Sequence, residues 1–429
     1  MHVEPITCYR PRPERAAEFA APPYDVFDRA GARAYVEAHP DSFLAVDRPE
    51  TAFPADHDPY ADDVYARAHD LLASRVSDGT LMRDGTRCFY LWRLRAGTHE
   101  QTGIVAAFSI DDYTNGVIRR HELTRGAKVA DRARHIAATC CQTGPALLAY
   151  RDNPVLEALV EAAKAADPLY ELTDGDGVRH TIWRVARPAA VESLRLMLEY
   201  VDRAYIADGH HRVAAAEQVC REARTAASER CSGAEAYNYF LGVLFPASQL
   251  GIGAYDRVVA DVAGLTEEEL VRSLEERGVA VGPRREAPVE PDARGRAGMY
   301  AFGAWRELAF EGPLPDDPAA ALDASLLQER VLGPVLGVDD PRDDARLSFA
   351  PRTSGVAELE RRAGTGGVAF TLHPTSVGEV MAVADAGLTM PPKSTWFAPK
   401  LLSGLFVRRV NHRESIIDGT RHAIEGNKE

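Results

Sequence analysis

Apolar positions along this chain follow two different rhythms. In residues 58–77, Val64, Ala68, Leu71, Leu72 and Val76 recur near the 3.6 spacing of one helix face. FYLWRLRA and GIVAAFSIDDY instead run as apolar stretches joined at Gly97, which predicts two strands and a turn. Further helices are predicted over 125–140, 154–166, 188–200, 211–226, 266–276 and 376–386. Further strands are predicted in YNYFLGVLFP, IGAYDRVVA and the hairpin MYAFGAW/RELAFEG. ASLLQERVLGPVLGV reads as a helix interrupted at Gly333-Pro334, and residues 1–55 read as loop-rich. Strands alternating with helices place the chain in the α/β (α+β) class. The proline- and charge-rich patches near 282–298 and 312–318 are the weakest points. They suggest a core with an N-terminal extension over 1–262 and a C-terminal α/β subdomain over 263–429. No internal repeat is visible.

Composition narrows the classes. A chain of 429 residues with 64 acidic and 50 basic side chains carries a net charge of −14. Phosphate attraction dominates nucleic-acid binding, so no nucleic-acid partner is expected. No run reaches the length of uncharged apolar residues that a membrane helix needs, and MHVEPITCYRPRPERAAEF has proline and charge where a signal peptide needs an apolar core. A cytoplasmic protein with no membrane partner is expected. The six cysteines form no C-x-x-C pair and read as reduced thiols. Composition leaves the oligomeric state open, a homodimer being one option.

The densest candidate chemistry lies in YIADGHHR, residues 205–212. It reads as a short strand, a turn at Asp208-Gly209 and a helix beginning near His210. Strand-to-helix junctions aim backbone N–H groups and a helix dipole at anions. Here the junction also carries Asp208, His210, His211 and Arg212. An N-cap role accounts for Asp208 alone, not for two histidines and an arginine beside it. A second group is RRHELTRGAKVADRARH, residues 119–135. On its predicted helix Lys128, Asp131, Arg132 and His135 share one stripe, which on a half-buried helix is ordinarily a solvated face. Just upstream stand His121, Glu122 and Thr124, and Glu122 is the best general-base candidate, weighed evenly against a salt bridge with Arg119 or Arg120. A third group is MPPKSTWFAPK, where Lys393, Ser394, Thr395 and Lys400 make a basic, hydroxyl-rich loop. APPYDV contributes Tyr24 and Asp25, and SFLAVDRPE contributes Arg48. Neither a P-loop, a strand-anchored G-x-G-x-x-G nor a kinase signature set is present.

Taken in order, APPYDV, RHE-L-T with the downstream K-x-x-D-R, ADGHHR and MPPKST-x-F-x-P-K-L-x-S-G-L resemble a bacterial family long described as uncharacterised. That family is similar to the free L-serine kinases of the ParB/sulfiredoxin-like superfamily. The resemblance implies a ParB-like unit around 104–226 and a closing loop at 390–404. It makes Asp208, Gly209, His210, His211 and Arg212 the phosphate site, with Asp208 holding Mg²⁺. It makes Glu122 the base towards the serine hydroxyl. Lys128, Arg132, Lys393, Ser394 and Thr395 would supply donor contacts, and His121, Thr124, Tyr24, Asp25 and Arg48 acceptor contacts. The turn lacks the cysteine of sulfiredoxin, which excludes its reductase chemistry. The implied activity is Mg²⁺-assisted phosphoryl transfer from pyrophosphate to L-serine. Alternatives are ADP or ATP as donor, a metal-dependent hydrolase using Asp208, His210 and His211, or a nucleotide-binding regulatory protein.

Overall fold

In the computed structural model of the protein, which describes residues 1–227 and 231–410, the expected α/β class is observed. The chain divides into two units. The first holds residues 1–119, 123–250 and 399–429, of which 411–429 lie outside the described residues; the second holds 120–122 and 251–398. Sequence patterning puts the border at 262/263 and the C-terminal tail with the second part. The structure puts it at 250/251 and takes the tail into the first unit.

The first unit is built on a mixed nine-stranded sheet. Its order runs Ile118–Arg119, Ala204–Asp208, Ala146–Tyr150, Tyr239–Pro246, His99–Ser109, Phe89–Ala96, Arg179–Val185 and Tyr170–Thr173, with Val3–Glu4 added beside His99–Ser109. Ala204–Asp208 pairs parallel with Ile118–Arg119 and antiparallel with Ala146–Tyr150. The central strands are buried along their length, which is why they read as unbroken apolar runs rather than as alternation. Against one face pack Leu156, Leu194, Leu198, Val213, Ala216 and Cys220 from the flanking helices. The last three lie on helix His210–Ala227 at the spacing of a single face.

A smaller core around Phe19, Phe43, Leu44, Val46, Leu72 and Val407 gathers the N-terminal loops and the tail of this unit. Residues 1–55 are less loop-like than their pattern suggests. Arg29–Ala38 is a helix, capped by the Asp28 side chain, which accepts the Gly31 N–H. The tail is tied into this unit by backbone pairing, Val407 with Tyr9 included. Arg408–Arg409 pairs with Cys141–Gln142, and Ser403 bridges Ala21. The strands Tyr170–Thr173 and Arg179–Val185 carry charges within them and close the far edge of the sheet.

The second unit holds a six-stranded antiparallel sheet in the order Val279–Val281, Ala304–Phe310, Arg296–Ala301, Val368–Leu372, Tyr255–Val259, Leu347–Pro351. The hairpin and the helices Glu267–Glu275 and Val377–Asp385 fall where the pattern places them. Each helix starts with a capping box, Thr266/Glu269 and Ser376/Glu379. Residues 120–122 count with this unit, and within it the His121 carbonyl accepts the Met390 N–H at 2.8 Å.

Candidate functional site

The junction expected at YIADGHHR forms as strand Ala204–Asp208 followed by helix His210–Ala227. Gly209 makes the turn at φ +89°, and a Cβ there would lie 3.2 Å from the Ala146 Cα, so the position favours glycine on both counts. Asp208 Oδ1 accepts the Gly209 N–H at 2.9 Å, and Oδ2 pairs with Lys400 Nζ at 2.9 Å. Burial opposes the charge on Asp208, but Lys400 and Arg212 outweigh it and hold the carboxyl well below the usual carboxylate range. The partner of Asp208 is thus a lysine 192 residues away. Lys400 belongs to the basic loop seen in the sequence, but nothing local ties it to the turn.

His210 is buried at the helix start. The neighbouring His211 turns elsewhere, and its Nε2 accepts the backbone N–H of Arg125 at 3.1 Å. Arg125 immediately precedes helix Gly126–Thr139, so His211 pins the start of the helix that carries Arg132. On that helix the polar stripe divides. Lys128 is exposed, Asp131 half-buried, and Arg132 and His135 are buried. The solvated-face reading therefore holds for its first turn alone.

Arg132 and Arg212 both line a cleft of about 480 Å³, open mouth included, whose other walls include Tyr24, Asp47, Thr143, Gly144 and Ser403. Tyr24 sits by both guanidiniums, with its ring 4.4 Å from the Arg132 carbon and 5.7 Å from that of Arg212. Burial pushes the Tyr24 phenol up to about 12, against the pull of Arg132. Arg132 binds Asp131 through Nε and Nη2, each at 2.9 Å, and donates to the Asp47 carbonyl at 3.0 Å. Arg212 donates to the Pro145 carbonyl and has Asp25 at 3.9 Å. Burial works against the charge of each guanidinium; Asp131 acts most strongly for Arg132 and Asp25 for Arg212, and both remain protonated. Burial and Arg132 together push the His135 imidazole below its ordinary value, and its Nε2 meets the Val46 carbonyl at 2.8 Å.

Arg48 supports this wall from behind. It pairs with Glu50 at 2.5 Å and donates to the carbonyls of Tyr24 and Phe27 at 2.8 and 2.9 Å, fixing the loop that carries Tyr24 and Asp25. Thr124 is half-buried between Glu122 and the helix. Glu122 and buried His121 fall in the second unit, as do Lys393, Ser394 and Thr395. There Lys393 adopts φ +56° with its ammonium 5.5 Å from the Tyr255 ring centre. Ser394 is buried and donates to the Pro391 carbonyl, which holds that turn.

Sequence reasoning did not single out Asp47, Thr143, Gly144 or Ser403. They come to the cleft from three separate chain segments. The one available signal was a charged Asp47 directly after the apolar run Phe43–Val46. Among the described residues no group of three or more His, Cys, Asp or Glu could hold a metal, so Asp208, His210 and His211 do not form a three-ligand set. Nor is any helix there long and apolar enough to cross a membrane.

A strand-to-helix junction with a paired aspartate, beside a cleft walled by the buried Arg132 and the half-buried Arg212, defines an α/β protein with a built polar site. The chain matches the family described as "Protein of unknown function (DUF1015)" over residues 3–325, and it belongs to that family. Among solved structures it is similar to SbnI with a C-terminal truncation from Staphylococcus aureus, with 15% identity and a TM-score of 0.38 over 73% of this chain and 91% of that one. It is similar to a conserved hypothetical protein from Pyrococcus furiosus, with 14% identity and a TM-score of 0.36 over 71% and 95% of the two chains. It is also similar to a free serine kinase variant in complex with ADP, with 14% identity and a TM-score of 0.37 over 72% and 92%. No curated protein matches it.

Proposed function

We propose that the protein is a phosphotransferase that moves a phosphoryl group from pyrophosphate to the hydroxyl of free L-serine. The observation that carries the reading is the junction itself. Backbone amides at the start of an 18-residue helix, a half-buried Arg212 and an ionised Asp208 meet at one glycine turn. Phosphoryl transfer consists mostly of positioning and of neutralising charge on in-line oxygens, and those groups supply both. The helix amides and Arg212 bind donor oxygens. Lys400 keeps Asp208 deprotonated and fixes its orientation.

Asp208 also fits Mg²⁺, which commonly takes one or two protein carboxylates and completes its shell with substrate phosphates and water. When bound, Mg²⁺ would neutralise charge on the transferring group. Glu122 is the proposed base for the serine hydroxyl. It stands three residues before Arg125, whose N–H is held by His211. Lys128, Lys393, Ser394 and Thr395 are proposed as further donor contacts, and His121, Thr124, Tyr24 and Asp25 as acceptor contacts. The choice of pyrophosphate rests on the lack of any common nucleotide cradle in the sequence. No step of this reading needs a membrane or nucleic-acid partner.

The test is a screen of pyrophosphate, ADP and ATP against L-serine and other hydroxy acceptors, read by ³¹P NMR. O-phosphoserine from pyrophosphate is expected. Product from ADP or ATP alone would replace the donor, and no phosphorylated acceptor with any donor would end the reading. Glu122→Gln is expected to lower turnover by about 10²–10⁴-fold, the range of a lost general base. A near wild-type rate would remove Glu122 from that role.

A further inference from the structure

We propose that the cleft beneath the junction is the pocket of the amino-acid acceptor and that Asp47 reads its ammonium group; the identity of that acceptor rests on the serine kinase reading. Asp47 is 2% exposed. Its Oδ1 accepts the Thr143 hydroxyl at 2.6 Å, and among the described residues no lysine or arginine side chain lies within ion-pair distance of its carboxylate. The nearby guanidiniums are engaged elsewhere: Arg132 with Asp131 and the Asp47 main chain, Arg212 with Pro145 and Asp25. A carboxylate buried to this degree normally has a cation or several donors. Asp47 has one hydroxyl in contact, the charges of Arg132 and Arg212 only beyond contact distance, and an open cleft.

The charges around the cleft select the ligand. A polyanion placed in it would meet the Asp47 carboxylate, and a simple cation would meet Arg132 and Arg212. A small zwitterion satisfies both signs, its ammonium on Asp47 and its carboxylate in the field of Arg132, while Arg212 stays with the donor. The donor phosphates are thereby left to the junction above. Gly144 keeps the cleft open at this point. A Cβ there would come within 3.1 Å of Ser403 Oγ and 3.4 Å of Arg212 Nη1.

The experiment is calorimetric titration of the full-length protein and of D47N with L-serine, L-alanine and 3-hydroxypropanoate, the last lacking only the ammonium. The wild type is expected to bind L-serine about tenfold or more tightly than 3-hydroxypropanoate, the size of one charge-assisted hydrogen bond. In D47N the serine affinity should fall by a similar factor and the ratio should approach one. Equal wild-type affinities for the two ligands would overturn the assignment without recourse to any variant. So would unchanged serine binding in folded D47N, including the case in which turnover alone is lost and Asp47 proves to be a proton acceptor. Asp47-dependent binding of L-alanine in a protein that phosphorylates nothing would sink the kinase reading and leave the ammonium assignment standing.

Discussion

Each unit buries an aspartate beside arginines, and the two clusters are finished differently. In the second unit Asp256 is fully buried and receives Arg352 through two contacts at 2.6 and 2.8 Å, with the Leu372 N–H at 3.1 Å. Its neighbour Arg257 points to backbone carbonyls of Tyr255 and Pro392. Burial lowers the Arg257 guanidinium to about 10. In the first unit Asp47 has one hydroxyl partner, and Arg212 has a carbonyl and a carboxylate at 3.9 Å. A cleft lies among those groups. The same residue types thus build a closed brace in one unit and an open site in the other. What separates them is unused hydrogen-bond capacity facing a cavity, not the presence of buried charge.

The sharpest way to break this contrast is Arg352→Met. It leaves Asp256 buried without its cation, which should cost about 3–5 kcal/mol of stability. Denaturant unfolding followed in the second unit measures it. A loss below about 1 kcal/mol, the value of an exposed pair, would mean that the brace is no brace.

Arg212→Met is the counterpart in the first unit. Removing a charge aimed at the transferring group typically lowers turnover by about 10²–10³-fold. The expected pattern is that loss in initial rate, with a smaller stability change than in R352M. A variant that unfolded as readily as R352M, yet turned over normally while folded, would make Arg212 a second Arg352.

Glycine 209 gives a smaller effect. Alanine there must adopt φ +89° with its Cβ 3.2 Å from the Ala146 backbone. A strained backbone position of this kind costs about 1–3 kcal/mol, and the junction must shift to admit it. G209A should lose stability in that range and bind pyrophosphate more weakly. Unchanged pyrophosphate affinity would argue that the amides at the turn do not hold the donor.

The parts of this site that were legible in the sequence are the local ones. Asp208 to Arg212 stood out because a strand, a glycine turn and a helix start occupy consecutive residues, so the chemistry and its scaffold are read together. Arg132 stood out through helix periodicity, although the pattern could not say which end of the stripe faces inward. Contacts of Arg132 and His135 with the carbonyls of Asp47 and Val46 decide that. Asp47, Thr143 and Ser403 were invisible for the opposite reason. The order of the sheet, with Ala146–Tyr150 beside Ala204–Asp208, and the bridge from Ala21 to Ser403 bring them together. No short-range spacing encodes either. The pairing of Asp208 with Lys400 belongs to the same class. The helix at Arg29–Ala38 was hidden by a weaker cause, since Gly31 sits in its first turn and Ala32 is its one fully buried residue.

The smallest effect concerns pH and separates the units by sign. Buried His135 has a folded pKa below its ordinary value near 6.5, because burial and Arg132 both disfavour the imidazolium. The unfolded chain therefore takes up this proton first as pH falls. The stability is present above about pH 6.5 and is lost below it, at up to about 1.4 kcal/mol per pH unit, until the folded pKa is reached. Hydrogen exchange on Ala146–Tyr150 in the first unit should report that loss between neutral pH and the folded pKa. Exchange on Tyr255–Val259, in the second unit, should not, since Arg352, raised against its burial by Asp256, keeps its charge there. H135Q, which can keep a donor towards the Val46 carbonyl, should flatten the first profile. A wild-type profile that is already flat would show that the cleft wall tolerates a protonated His135, and the cluster around Arg132 would then be less positive than the structure makes it.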